Sequence, residues 1–491
     1  MTSLKMNALM GFTALASLVA PLTASAAEIS RAEADRIQSN IRSIIPAISG
    51  GAAGVTVDPD GDHYRLKMDI GALFRALEPF DLHFSAPGPY ELSLAPLPNG
   101  DFRFYDAVMQ PMSLKAKDQT STVRFEGVTY DGIADPTLSL TRQATLTIAR
   151  TVKEATAPKL VSTGEESGSR FDIAATETAP GLVDMKVVHS VKQMINHYAF
   201  GDDPKGAPEF TLDVATGAYK ATVTGTGVRW EALRALVRWA APKQTRAEFV
   251  ADGATGKTLL KAALPTGDSL GYEASVADLS VSANHFGTAT IARIEATMGM
   301  GAAAKVEASG TGASASPLTY GARATGIAVA SPMMPDWAKG LVPHTMDGSV
   351  GARGIDLPKL LTAAIDKADF AAPEPLTEAD WATLVAASGT ETVYPKLSAT
   401  SDLYDIKVTG EIAVKAPHPT GTLMVRAKGL DKVLAALQAA KGAGGSGQAM
   451  VGLYAAKALS KPQAGEDVWG IEFTEDGRML INGQEFGGKK K

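Results

Sequence analysis

The chain contains no cysteine among its 491 residues. That excludes a disulfide framework, a thiol nucleophile and a zinc–thiolate site. It also excludes a lipid anchor on a cysteine behind a leader. Aromatic residues are scarce, at 6%, too few for the aromatic girdles of an outer-membrane barrel. Beyond the first segment, no apolar run reaches the roughly 20 residues of a helical membrane span. Basic residues are outnumbered, with 47 Lys and Arg against 53 Asp and Glu. Neutralising nucleic-acid phosphates needs a basic face, so nucleic acid is not an expected partner. The terminal Lys489-Lys490-Lys491 is too short to change that.

The first segment has the form of an export leader. Lys5 supplies the positive n-region, Asn7 to Ala20 is largely apolar, and Ala24-Ser25-Ala26 is a small-residue cleavage site. The expectation is a signal peptide over residues 1–26, cut after Ala26. That leaves 491 − 26 = 465 residues with a net charge of 46 − 53 = −7. A cysteine-free exported chain without a transmembrane span suits the bacterial periplasm, where oxidants pair stray thiols.

The hydrophobic content of 45% is rich in Ala and Val, and Gly numbers 48. Small and β-branched side chains point to extended sheet rather than thick helical layers. The expected class is mainly β: long, curved antiparallel sheets with short amphipathic helices capping or covering the apolar face. Two regions are expected after the leader, an N-terminal helix plus β-rich region at 27–200 and a second β-rich region at 209–491. The segment Gly201–Pro208, GDDPKGAP, reads as the linker.

Ser30–Ile48 reads as a helix packed on the sheet, opened by a Ser30/Glu33 capping box. Val55–Ile70 reads as a hairpin, Gly71–Leu77 as a short helix and Asn99-Gly100 as a tight turn. Lys159–Ser169 reads as a loop, because it is polar and contains glycine. Met185–Phe200 fits either a helix, through Val188, Val191, Ile195 and Tyr198, or a long strand, and the strands around it favour the second. One unit recurs: a strand, a glycine, then a short helix. The junctions are Gly227-Val228, Gly354-Ile355 and Gly429-Leu430. At the last, period two in Gly421–Lys428 gives way to helical spacing at Leu430, Val433, Leu434 and Leu437. Asp431 is the expected N-cap there. Strands fill Tyr272–Ser282, Thr288–Met298, Ala304–Ser309 and Thr319–Ala328, and Val468–Ile481 forms a last hairpin.

No motif nominates a catalytic, cofactor-binding or metal-ligating residue. Gly256-Lys257-Thr258 lacks the glycine pattern of a phosphate loop. Asp58, Asp60 and Asp62 have the alternate spacing of a calcium loop, but His63 stands where glycine is needed and Asp69 where a bidentate Glu is needed. A hairpin turn explains them better. The seven histidines, His63, His83, His189, His197, His285, His344 and His418, form no ligand pair. Gly444-Gly445-Ser446-Gly447-Gln448 lacks the last glycine of a nucleophile elbow.

Near the C-terminus, Gly410–Val414, His418-Pro419-Thr420-Gly421-Thr422-Leu423, Ala427–Leu437 and Thr474–Ile481 resemble the exported bacterial family called "domain of unknown function 2125". Gly354-Ile355-Asp356-Leu357 is similar to helix starts in AsmA-like envelope proteins. The first resemblance implies export and carries no activity or site residues. The second implies a curved sheet with an apolar inner face, in a family associated with lipid movement in the envelope. The expected function is therefore a periplasmic, non-catalytic β-rich protein holding a hydrophobic or lipidic ligand or an envelope partner. The alternative is an exported hydrolase acting on glycan or ester substrates.

Overall fold

The computed structural model describes residues 29–44, 54–73, 82–136, 140–240, 246–301, 318–354, 356–369, 377, 379–380, 383–384, 392–414, 418–440 and 446–486. The expected leader, residues 1–26, and the expected strand Ala304–Ser309 lie outside them. Among the described residues the chain is mainly β, 58% strand and 22% helix, and its ladders are antiparallel. It divides into two compact units. Unit 1 comprises Met1–Thr211, Lys220–Asp268 and Ile365–Glu374, and unit 2 comprises Leu212–Tyr219, Ser269–Ala364 and Pro375–Lys491.

Unit 1 begins with helix α1 (Arg31–Ile44), hairpin β1 (Val55–Asp60) and β2 (His63–Met68), and the single turn α2 (Ile70–Leu73). Strands β3 (Leu82–Ser85), β4 (Tyr90–Pro96), β5 (Phe102–Val108) and β6 (Met112–Ala116) follow. Then come three long strands, β7 (Gln119–Asp135), β8 (Leu140–Ala157) and β9 (Leu160–Ala179), and the shorter β10 (Leu182–Val191) and β11 (Gln193–Phe200). After β12 (Phe210–Thr216) the chain runs through β13 (Tyr219–Arg229) into helices α3 (Trp230–Ala240), α4 (Arg246–Ala251) and α5 (Gly253–Ala263).

The long strands organise the unit. At about 3.3 Å per residue, the 20 residues of β9 extend roughly 66 Å. One half of β7 pairs with β5 and the other with β6. One half of β9 pairs with β10 and the other with β11. The division falls on one transverse line. Gly127 of β7 and Gly168 of β9 both have φ of 61°, and Ala149 of β8 lies between them in register. The register is unchanged across this line, since Glu126 pairs Arg150 and Val128 pairs Ile148. What changes is the alternation: Phe125 and Val128, three apart, continue the same face where two apart is the rule.

The stretch 159–169 is therefore not a loop, as its polarity suggests, but the first half of β9. Its polar residues are satisfied across strands: Glu165 accepts from Arg150 at 2.7 Å, and Glu166 pairs with Lys153. Gly201–Pro208, expected as a linker, is a closed turn, with Glu209 N–H donating to Phe200 O at 2.8 Å and an Asp203–Ala207 bridge.

The core of unit 1 sits under α1. Ala34, Ile37 and Ile41 pack with Val57, Tyr64, Leu94, Phe102, Phe104 and Tyr130, the apolar helical stripe facing the sheet. The capping box is half formed. Glu33 N–H donates to Ser30 Oγ at 3.2 Å, but the Glu33 carboxylate accepts from Arg36 instead.

Unit 2 repeats the device of long strands whose side-chain alternation shifts on one transverse line. It contains β14 (Ser269–Ala283), β15 (Gly287–Gly301) and β16 (Leu318–Ala330), then α6 (Asp336–Lys339), β17 (Thr345–Arg353), helix α7 (Leu357–Lys367), whose last residues from Ile365 belong to unit 1, and β18 (Thr392–Thr400). β19 (Asp405–Ala413), β20 (Thr420–Lys428), helices α8 (Leu430–Ala439) and α9 (Ser446–Ala458), and β21 (Lys461–Gln463), β22 (Glu466–Phe473), β23 (Met479–Ile481) and β24 (Gln484–Phe486) complete it. Asp278 (φ 51°) and Gly326 (φ 65°) flank Ala292 in register. On one side of this line β12 joins β14. On the other, β14 to β20 and β22 pair consecutively.

All three strand-to-helix glycines take the left-handed conformation, Gly227 at 56°, Gly354 at 80° and Gly429 at 81°. At Gly429 a Cβ would stand 2.1 Å from Leu403 O, so only glycine fits. The expected N-cap Asp431 is not one. Gly429 caps α8 without a side-chain bond, and Asp431, already inside the first turn, pairs with Lys457 of α9 at 2.5 Å. Thr377 and Asp380 form a reciprocal capping box: Thr377 N–H donates to Asp380 Oδ2 at 2.9 Å and Asp380 N–H to Thr377 Oγ1 at 3.2 Å.

Candidate functional site: an apolar sheet face

Side chains alternate along a strand, so the registers of unit 2 determine which residues share a face. On β14, Leu270, Tyr272, Ala274 and Val276 point one way, while Glu273 and Ser275 point the other. Carried across the ladder, the first set meets Met300, Met298, Ala296 and Ile294 of β15, then Leu318, Tyr320, Ala322 and Ala324 of β16. Ala352, Val350, Gly348 and Met346 of β17 continue it. Val393, Pro395, Leu397 and Ala399 of β18 and Ile412, Val408 and Ile406 of β19 follow, then Leu423, Val425 and Ala427 of β20 and Ile471 and Trp469 of β22. From β14 to β20 this face carries no ionisable group other than the two tyrosine hydroxyls.

The opposite face is charged. Arg293 pairs with Glu295 at 2.8 Å, Lys407 with Asp405 at 3.3 Å, and Glu466 with Lys428 at 3.2 Å and Arg426 at 3.4 Å. Bonding from Lys428, reinforced by Arg426, holds the Glu466 carboxyl below its usual range.

The apolar face is open over its middle strands. Met298, Tyr320, Met346, Val350 and Leu397 are 47, 57, 49, 41 and 48% exposed, values foreign to a sheet core. One transverse row is floored by small residues, Ala274, Ala296, Ala322 and Gly348. Bulkier residues bank it: Tyr272, Met298, Tyr320 and Val350 on one side, Val276, Ile294 and Met346 on the other. Four strands at about 4.8 Å spacing make this depression about 14 Å long. Burial, with a contribution from Tyr272, pushes the Tyr219 hydroxyl up to about 12 at the β14 margin.

Helices close the far margin. Leu430, Val433, Leu434 and Leu437 of α8 are buried. α9 is tied to β22 by polar contacts: Trp469 Nε1–H donates to Ala456 O at 2.8 Å, and Ser460 Oγ donates to Asp467 at 2.8 Å. Gln438 donates to the Tyr454 hydroxyl at 2.6 Å across the α8–α9 cleft.

The motifs weighed in the sequence fall elsewhere. Gly256, Lys257 and Thr258 lie inside helix α5, where Lys257 Nζ donates to Asp366 O at 2.9 Å and Thr258 to Ala254 O. Asp58 accepts from Arg31 at 2.7 Å, Asp60 from Arg65 at 3.3 Å, and Asp62 pairs with His63 at 3.0 Å around the β1–β2 turn. No group of three or more metal-ligating side chains occurs among the described residues. In unit 1, Ser169 Oγ lies 3.3 Å from His189 Nε2, and Phe171 stacks on the imidazole with ring centroids 3.9 Å apart. Burial lowers the His189 pKa. Ser169 is itself buried at 4% exposure, so this pair does not open on a cleft.

Sequence reasoning placed alternating strands here but did not join them into one face. The signal was present: every β14–β20 strand has apolar residues in one phase and polar residues in the other. Comparison with protein-family models, curated proteins and solved structures finds no match.

Proposed function

We propose that this chain is a periplasmic, non-catalytic protein that holds an aliphatic ligand, the acyl chain of a lipid, on the apolar face of unit 2. The observation that carries the reading is that face: wide, without charge from β14 to β20, and exposed. An acyl chain makes no hydrogen bonds, so a surface whose polar groups from β14 to β20 are two tyrosine hydroxyls on its bank suits it. Roughly ten methylenes taken out of water would gain about 8 kcal/mol before ordering costs. Unbranched methionines, which adapt to irregular shapes, suit a flexible chain better than a rigid partner. The AsmA-like resemblance supports this reading, and the leader-like pattern of residues 1–26 supports the compartment.

Organic extraction of the protein purified from its native compartment, followed by mass spectrometry, tests the reading. An acyl lipid present in near-stoichiometric amount is the expected result. Extracts free of lipid, together with a protein that takes up no fatty acid, would contradict it, and an envelope protein co-purifying instead would favour a partner role. Fractionation, with N-terminal sequencing that begins at Ala27, tests export. The hydrolase alternative has one observation in its favour, the Ser169–His189 contact. Ester hydrolysis that disappears in Ser169→Ala would establish it.

A further inference from the structure

We propose that Met298 and Met346 are an oxidation-sensitive pair on the apolar face, converted to sulfoxides by a hydroperoxide, and that the conversion releases whatever aliphatic ligand the face holds. The second half rests on the ligand reading above; the first does not. The chain has no cysteine, so no thiolate competes for the oxidant and methionine is its readily oxidised sulfur. Among the described residues the exposed methionines are Met298, Met333, Met346 and Met424. Met424 shares its face with Thr422 and Arg426, and Met333 lies in the turn after β16. Only Met298 and Met346 of these four are both exposed and on the apolar face. Met298 is in register with Tyr320, and Met346 with Ala324. They therefore stand on opposite banks of the row floored by Ala296, Ala322 and Gly348.

The chemistry is a two-electron oxygen transfer. The thioether sulfur attacks the terminal peroxide oxygen, the O–O bond breaks, an S–O bond forms, and water or an alcohol leaves with the proton. Sulfur is oxidised and the peroxide reduced. Each product places a strong acceptor where methylenes offer no donor, and a polar group left without a partner disfavours binding. A thiol-driven methionine sulfoxide reductase reverses the step.

The test treats the full chain with graded hydrogen peroxide, maps oxygen uptake by peptide mass spectrometry, and measures affinity for a fluorescent dodecanoyl probe. Met298 and Met346 gain one oxygen before the buried Met112 does. Bound probe protects both but not Met333. The oxidised protein binds the probe at least tenfold more weakly, reductase restores it, and the double variant Met298→Leu/Met346→Leu keeps its affinity through peroxide treatment. Oxidation of Met112 ahead of both would overturn the first half. Unchanged affinity after both are oxidised would overturn the second half and leave the ligand reading standing. Failure of the reduced protein to bind the probe would remove the ligand reading and the second half together, while the order of oxygen uptake still tests the first.

Discussion

Two glycines in the middle of long strands have an alanine methyl standing where their own Cβ would be. A Cβ on Gly127 would meet Ala149 Cβ at 2.7 Å, and one on Gly326 would meet Ala292 Cβ at 2.5 Å. Both glycines also have positive φ, which strains an L side chain. Gly127→Ala and Gly326→Ala should each cost roughly 1–3 kcal/mol in urea unfolding. Gly61→Ala, at φ 66° with nothing within 4 Å of the added Cβ, should cost only the conformational part, about 1 kcal/mol. Equal costs at all three would mean that the close approach is unimportant. The phase shift is visible in the sequence as apolar residues three apart, Val276 and Leu279, Ile291 and Ile294, Ala324 and Ile327. It was not legible as one line across the sheet, because only pairing shows that the three shifts fall in one row.

Buried hydroxyls give a pH signature at the same scale. Burial pushes Tyr130 and Tyr90 up to about 12 from an ordinary 10. Folding therefore favours their neutral forms. Their contribution is intact below pH 10 and is lost as pH rises through 12. Absorbance titration should show both tyrosines silent at pH 10 in the native protein and titrating once it is unfolded. His189 works in the other direction. Its lowered pKa stabilises the fold above the ordinary histidine value and ceases to do so as pH falls below it. A melting temperature flat from pH 8 to pH 5 in wild type, and unaltered by His189→Gln, would contradict this.

At the scale of elements, α1 was legible because its isoleucines recur at helical spacing behind Ser30. Ile37 is almost wholly buried, and Ile37→Ala should cost about 2–5 kcal/mol. A cost below 1 kcal/mol would mean that the helix is not part of the core. β9 was not legible, because strand propensity describes residues on a half-buried pleated surface, and the first half of β9 is satisfied by Arg150 and Lys153 on its neighbour. α9 escaped for a different reason. SGQAMVGLYAAKA has apolar residues all round and two glycines, so it lacks a stripe. Polar contacts hold it instead, and Trp469→Phe removes the donor to Ala456 O. Amide exchange should then accelerate over 446–458 and stay unchanged in β14 to β17. Acceleration throughout unit 2 would mean that Trp469 supports the sheet rather than the helix.

For the whole molecule, the sequence conveyed the class, mainly β with short glycine-hinged helices. It did not convey that unit 1 covers its sheet with α1 while unit 2 leaves Met298, Tyr320 and Met346 exposed on an apolar face. That difference is a matter of tertiary covering, which periodicity does not encode. It is also what separates a core from a binding surface: apolar side chains are ordinary in either, but large contiguous exposed patches mark binding. The most direct measurement is a titration of the dodecanoyl probe into wild type and Ala322→Glu, which places one carboxylate at an exposed position in the floor of the depression. Saturable binding by wild type, at least tenfold weaker binding by the variant and an unchanged melting temperature are expected. Equal affinity in the two proteins would contradict the assignment of the face.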